Sequence, residues 1–263
     1  MKILFWNCRG VLRREVKRHC KFLVKAFSLN ILVLLKTHTQ EAGMNKFLKT
    51  MEMEFEGAGI PGSGHSGGII VCWNKLFDQI SWCKGTEQVA YLIIQEPRGN
   101  PWILVGVYAN PDGKQRRYVW SETTEVLKEG LPTLLGGDFN TLLGQEDRRG
   151  GAPFRMTSDV LAFRQWVNEN HLQTIEQKGQ TFTLCNNRHG SARTWEAIDR
   201  AFVTHSWMVE YPSAIAQVLL RRASDHSPII LNSDIQPPVG RKPFRFERIW
   251  FEYPDLPNVV EKG

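Results

Sequence analysis

The stretch Pro132–Asn140, PTLLGGDFN, says most about the fold. Thr133, Leu134 and Leu135 form a short run of the kind that fills a strand buried on both faces. Gly136 and Gly137 end it, and Asp138 and Asn140 follow with Phe139 between them. Side chains two apart in an extended chain share a face, so Asp138 and Asn140 should point one way and Phe139 the other. A carboxylate beside an amide at a strand end suits a hard metal ion, a water nucleophile and a phosphate oxygen. The same residues suit a Gly-Asp turn capping a strand, and this segment alone does not separate the two readings.

Outward from this stretch, apolar runs recur between Gly, Pro and Asn. Ile3–Trp6, Ile31–Leu35, Gly68–Trp73, Val89–Ile94, Trp102–Tyr108, Thr133–Leu135, Ile198–Val203 and Ile229–Leu231 are predicted strands. Between Arg13 and Ser28, Val16, Cys20, Leu23, Val24 and Phe27 follow the helical period, with Arg13, Arg14, Lys17, Arg18, Lys21 and Lys25 on the other faces. Helices are also predicted over Gln115–Lys128 and Ser158–Asn170. Paired strands mixed with helices predict sheets packed on one another with helices outside. After Asp234 the chain turns to Gln236-Pro237-Pro238 and the basic, aromatic RKPFRFER, which has the composition of a linker leaving a finished domain.

Composition narrows the function classes. The chain has 263 residues, with 33 basic against 27 acidic, a net charge of +6 and a pI near 9.1, a balance that favours polyanionic partners. Five cysteines, odd in number and without C-x-x-C spacing, argue against a disulfide framework or a zinc cluster and for a reducing compartment. No run approaches the roughly 18 apolar residues of a membrane span, and Met1–Trp6 is too short and too quickly charged for a signal peptide. A nuclear or cytoplasmic location is expected.

Polar residues gather at other strand ends too. In Ser224-Asp225-His226-Ser227-Pro228, an Asp adjoins an imidazole that titrates near neutrality. In Ile198-Asp199-Arg200, a carboxylate among apolar neighbours needs a partner. Consecutive strand residues point apart, so a histidine is a better partner for Asp199 than Arg200. Asn7 closes the first run in Trp6-Asn7-Cys8-Arg9-Gly10, and Tyr108 closes another in Val107-Tyr108-Ala109-Asn110-Pro111. Each alone fits ordinary strand-to-turn chemistry. Their repetition fits catalytic groups carried by loops on a rigid scaffold.

In order, WNCRG, LLKTHT, HSGGIIVCW, VYANP, GGDFN, TFTLCN with TWEAIDRAF, and SDHSPII resemble the exonuclease–endonuclease–phosphatase superfamily. Flanks and spacings are most similar to the apurinic/apyrimidinic-like endonuclease domain of LINE-type (non-LTR) retrotransposons, especially those of plants. The resemblance runs from Met1 to about Asp234, and residues 235–263 look like the segment that leads to a reverse transcriptase in full-length relatives. It implies a four-layer α/β sandwich, two mixed β-sheets face to face with helices on the outside and the active site at one edge. It implies Mg²⁺, or Mn²⁺ in its place, and DNA as substrate. By position, Asn7 would contact metal or phosphate, and Tyr108 would donate to the scissile phosphate. Asp138 would position or deprotonate water, and Asn140 would stabilise the phosphorane charge. Asp199 would orient His226, and Asp225 would help bind metal or water. Arg9, Arg188 and Arg193 are the expected nucleic-acid contacts.

Two departures from the family pattern stand out. Lys36-Thr37 replaces a Glu-Thr pair whose Glu is the principal metal ligand, and a charged ammonium repels Mg²⁺. Lys36 either binds phosphate directly or marks a copy that has lost its metal, and the sequence favours the second because a point charge cannot reproduce octahedral orientation. Leu184 in TFTLCN stands where relatives carry Trp, which removes an aromatic from the expected DNA face. The expected function is Mg²⁺-dependent phosphodiester hydrolysis, impaired by Lys36, as in the DNA endonuclease of a LINE-like element. The rivals are a catalytically dead nucleic-acid-binding relative and a phosphatase of small phosphorylated molecules.

Overall fold

The computed structural model describes residues 1–62, 67–76, 80–95 and 99–233, apart from the Cys83 side chain. His65 and Ser66 of the HSGG motif, the Gln236-Pro237-Pro238 stretch and the 235–263 tail lie outside the described residues.

Two large sheets form the centre. A seven-stranded sheet runs Gln177–Gly179, Ile215–Val218, Ile229–Asn232, Lys2–Asn7, Ile31–Leu35, Ile69–Asn74, Phe55–Ile60. A six-stranded sheet runs Gln173–Thr174, Asp199–Val203, Thr133–Asp138, Trp102–Tyr108, Val89–Ile94, Ile80–Gly85. Both are mixed: Lys2–Asn7 is parallel to Ile31–Leu35, and Trp102–Tyr108 to Thr133–Asp138, among antiparallel pairs. A third, three-stranded sheet joins Leu184–Cys185, Thr194–Glu196 and Arg148–Gly150.

Alternation along the strands sorts the apolar side chains into three buried layers. Phe5, Val33, Leu35 and Val71 of the larger sheet meet Leu92, Leu104, Leu134 and Val203 of the smaller one between the sheets. Leu4, Leu32, Leu34 and Ile70 face outward onto Val16, Cys20 and Leu23 of helix Arg14–Phe27 and Met44, Phe47 and Met51 of helix Glu41–Met51. Ile103, Val105, Leu135 and Phe202 face outward onto Val119 and Trp120 of helix Gly113–Leu127 and Phe163 and Trp166 of helix Ser158–Glu169. Three apolar interfaces separate four layers, so the architecture is the four-layer α/β sandwich.

The predicted strands are present, with Gly68 falling just outside Ile69–Asn74 and Ile198 just outside Asp199–Val203. Helix Glu41–Met51, the edge strands Phe55–Ile60 and Ile80–Gly85, and the inner strand Ile215–Val218 were not predicted. The glycine pair of PTLLGGDFN sets the sheet spacing. A Cβ on Gly136 would overlap the Phe5 ring of the facing sheet, and Gly137 has φ +144 with no room for a Cβ beside the Val107 carbonyl.

Candidate active site

The strand register delivers the site. Asp138 ends its strand with Tyr108 beside it on one side and Asp199 directly opposite on the other. Asn7 ends the Lys2–Asn7 strand of the facing sheet, and its amide donates to Asp138 Oδ2 at 2.7 Å, linking the sheets. His226 lies just before Ile229–Asn232, and its Nδ1 is 2.9 Å from Asp199 Oδ2. Arg200, the alternative partner for Asp199, instead pairs with Asp147. Asn7, Tyr108, Asp138, Asp199 and His226 are all buried.

Asn140 reaches the same carboxylate by a route that alternation does not describe. Its backbone leaves the extended region at φ +48, its N–H donates to Asp138 Oδ1 at 2.9 Å, and its amide donates to Asp138 Oδ2 at 3.1 Å and the Ala109 carbonyl at 2.7 Å. Phe139 turns outward into the helix layer as expected. Asp138 is thus bound by two side-chain amides and a backbone N–H, which pre-organises it.

Electrostatics assign the protons. Burial, then the Asp199 charge, raises the Asp138 carboxyl to about 6. Burial opposes charge on His226, but the Asp199 and Asp138 carboxylates outweigh it and raise the imidazole to about 9. Near neutrality the arrangement is a protonated imidazole between two carboxylates, with Nε2 3.9 Å from Asp138 Oδ2. The Asn7 amide lies 3.3 Å from Nε2, a contact suited to the neutral ring, so the imidazole can switch partner as it loses its proton. Burial also raises the Tyr108 hydroxyl, keeping it a donor, and that hydroxyl makes no hydrogen bond among the described residues.

Several supports were not singled out in the sequence. The buried Thr183 hydroxyl accepts from the Ile198 and Asp199 N–H groups at 3.2 and 3.0 Å, fixing where Asp199 enters its strand. Ser224 donates to the Asn7 carbonyl at 2.8 Å and accepts from the His226 N–H at 3.2 Å, and Trp6 Nε1 donates to the His226 carbonyl at 3.2 Å. Ser224 adjoins Asp225 and His226 in SDHSPII, which was a visible signal, whereas Thr183 in TFTLCN has no acid or imidazole next to it and carried none.

Other expected residues lie at the rim or away from it. Asp225 is ion-paired to Arg9. Arg188 and Arg193 are exposed on the 186–193 loop of the small sheet, where Arg193 Nε donates to the Arg188 carbonyl at 2.8 Å. That sheet joins the site through the Leu184–His226 bridge. Trp195, half-buried and opposite Cys185, lies under the Arg221 guanidinium at 4.4 Å and supplies an aromatic on the sheet where Leu184 does not. Lys36 sits just past the end of its strand. It follows Ile31–Leu35 at φ +52 and lies half-buried, its Nζ 5.4 Å from the Tyr108 ring centroid. Burial, then Arg9, lowers its pKa, against Asp138 and Asp225.

Ligand atoms of Asp138, Asp199 and His226 lie within 4.8 Å of one another, a spacing that can hold a metal ion. The donor set does not fit Mg²⁺. Mg²⁺ demands a near-octahedral shell of oxygens, and of the three groups His226 is an imidazolium bonded to Asp199 and offers no ligand atom near neutrality. Asn7 Oδ1 is a buried acceptor with no hydrogen-bond partner among the described residues, the kind of oxygen a cation could use. The neighbouring groups are wrong for it: Asp225 is taken by Arg9, and Lys36 adds a second positive charge.

No family model matches the chain, and no curated protein sequence matches it. Solved structures do match. The endonuclease domain of TRAS1, a telomere-specific non-LTR retrotransposon, aligns at 16% identity and a TM-score of 0.68, over 90% of this chain and 99% of that one. The AP endonuclease LMAP from Leishmania major aligns at 16% identity and a TM-score of 0.71, over 88% and 86%. The 3′ phosphatase NExo from Neisseria, bound to product DNA hairpin, aligns at 18% identity and a TM-score of 0.66, over 89% and 100%. At such identities the likeness is one of fold: the chain has the fold of the exonuclease–endonuclease–phosphatase superfamily.

Proposed function

We propose that this chain is a phosphodiesterase-type domain acting on DNA, of the kind that nicks a strand for a LINE-like retroelement. The observation that carries the reading is the meeting of Asp138, the Asp199–His226 pair, Asn7, Asn140 and Tyr108 at one edge of the two sheets. In this reading Asp138 takes a proton from water, since its carboxyl loses its own near neutrality. The His226 imidazolium, held by Asp199, and the amides of Asn7 and Asn140 offset negative charge on the phosphate. The Tyr108 hydroxyl donates to a phosphate oxygen. Arg9, Arg188 and Arg193 act at the rim on the DNA backbone, with Asp225 holding Arg9.

Turnover with Mg²⁺ or Mn²⁺ is proposed to be weak in this chain, because Lys36 and Arg9 oppose an ion there. A non-cutting nucleic-acid binder is the second reading, favoured by Lys36 alone. The net charge of +6 weighs for DNA and against a small phosphorylated substrate. We also propose that residues 1–234 form the working unit, with 235–263 leading to a reverse transcriptase in cis, and that the protein works in the nucleus or cytoplasm.

The test is an end-labelled duplex incubated with the protein and Mg²⁺, with product ends examined by polymerase extension. A nick bearing an extendable 3′-hydroxyl supports the endonuclease reading. Release of inorganic phosphate from a 3′-phosphorylated hairpin, with no internal cut, would replace it by the phosphatase.

A further inference from the structure

Two long basic side chains are held together at the mouth of the site by backbone that neither residue prefers. Arg9 has φ +48 and Lys36 φ +52, the left-handed region that costs a non-glycine residue about 1–2 kcal/mol. The loops that carry them are stitched to each other: Cys8 N–H donates to the Leu35 carbonyl at 3.1 Å, Gly10 N–H to the Lys36 carbonyl at 3.0 Å and Val11 N–H to the Thr37 carbonyl at 3.0 Å. Strain that persists because surrounding bonds enforce it is a feature of functional sites.

The two cations there are not fully hydrogen-bonded. Arg9 has one carboxylate, Asp225, bonded through a single Nη1, which leaves its other N–H donors open. Lys36 makes no hydrogen bond or ion pair among the described residues, although it is half-buried beside the Tyr108 ring. Asp138, the nearest inner carboxylate, is already bound by Asn7 and Asn140. A half-buried ammonium next to a guanidinium, with no direct ion pair among the described residues and only the fields of Asp138 and Asp225 to offset its burial, is stabilised further when an anion arrives.

We propose that Lys36 Nζ and the free face of the Arg9 guanidinium form a built-in anion site that grips one phosphate of a nucleic-acid strand without a divalent ion. Asp225 aims Arg9, and the Tyr108 ring supports Lys36 from the side. The inference rests on the reading of nucleic acid as the ligand. It reverses the sense of the Lys36 substitution: in place of a lost metal ligand, the position contributes a fixed cation.

The experiment measures binding of the full chain to a fluorescent DNA duplex, in EDTA and in Mg²⁺ at matched ionic strength. The unmodified protein should bind as well in EDTA as in Mg²⁺. Lys36→Gln should lose about tenfold in EDTA, the size expected for one charge-assisted contact. Lys21→Gln, which removes the same charge from the exposed face of the Arg14–Phe27 helix, should lose about twofold. Lys36→Arg should retain most of the affinity. A melting temperature no lower in Lys36→Gln separates a lost contact from a lost fold. Equal losses in Lys36→Gln and Lys21→Gln, or binding by the unmodified protein that requires Mg²⁺, overturns the anion site while leaving the nucleic-acid reading standing. If no DNA binds in either buffer, the nucleic-acid reading falls. The anion site is then judged by inorganic phosphate, which should raise the melting temperature of the unmodified protein and not that of Lys36→Gln. A shift equal in both, or absent from both, overturns it.

Discussion

Asp138 and Asp199 stand directly opposite each other on neighbouring antiparallel strands, both fully enclosed, with the His226 imidazole against them. Two buried carboxylates at that separation cannot both stay ionised without a cation, and the imidazolium supplies it. The arrangement ties the proton inventory of the site to the stability of the fold.

This gives a pH dependence with a definite sign. The folded His226 value is about 9 against an ordinary 6.5, so the folded state holds the proton more tightly. Its stabilisation is fully present below the unfolded value and is lost as pH rises through about 9, amounting to about 3 kcal/mol. Asp138, raised to about 6, changes stability in the same direction, but its loss is complete at lower pH, between its unfolded value and about 6. The melting temperature should therefore fall between neutrality and alkaline pH, and His226→Gln should flatten that fall. Parallel curves for the two proteins would refute the assignment.

Thr183 tests positioning without touching substrate. Thr183→Val removes the acceptor for two buried N–H groups, those of Ile198 and Asp199, and should cost about 1–3 kcal/mol in denaturant unfolding. Thr183→Ser keeps the hydroxyl and should lose much less. Equal losses would mean that the methyl packing matters and the hydrogen bonds do not.

Gly136 tests the sheet spacing. Gly136→Ala drives a methyl group into the Phe5 ring and should cost about 1–3 kcal/mol, with Phe5→Leu in the same chain recovering part of it. No recovery in the double variant would place the strain elsewhere.

The net charge and the basic face of Arg14–Phe27 predict weak DNA binding with little sequence preference. Affinity should fall steeply between about 50 and 200 mM salt, as expected when cations displace condensed counterions. A flat profile in a filter-binding or anisotropy titration would count against a nucleic-acid substrate.

The strands were legible because burial on both faces leaves uninterrupted apolar runs such as ILVLL and WILVGVY. Phe55–Ile60 was not, because FEGAGI is an edge strand with two glycines and mostly half-exposed side chains. Helix Glu41–Met51 carries only three buried apolar positions in a polar segment, so its periodicity is faint. The acid, amide and imidazole residues at strand ends were visible as types at recurring places. The nearness of Arg9 to Lys36 was not, because it depends on left-handed backbone and on hydrogen bonds between loops far apart in sequence. The pairing of Arg9 with Asp225 was hidden for the same reason, since it joins residues from opposite ends of the chain.

The central claim is that the Asp138 site has the machinery for phosphodiester hydrolysis and that Lys36 keeps a divalent ion from serving it. Supercoiled plasmid nicking, with Mg²⁺ and with EDTA, tests this most directly on the unmodified chain, Lys36→Glu, and Lys36→Glu combined with Asp138→Ala. The unmodified chain should nick poorly. Lys36→Glu should nick at least about a thousandfold faster in Mg²⁺ and not in EDTA, the rate equivalent of several kcal/mol of transition-state stabilisation. The double variant should be inactive. Strong Mg²⁺-dependent nicking by the unmodified chain, unchanged by Lys36→Glu, would contradict the account.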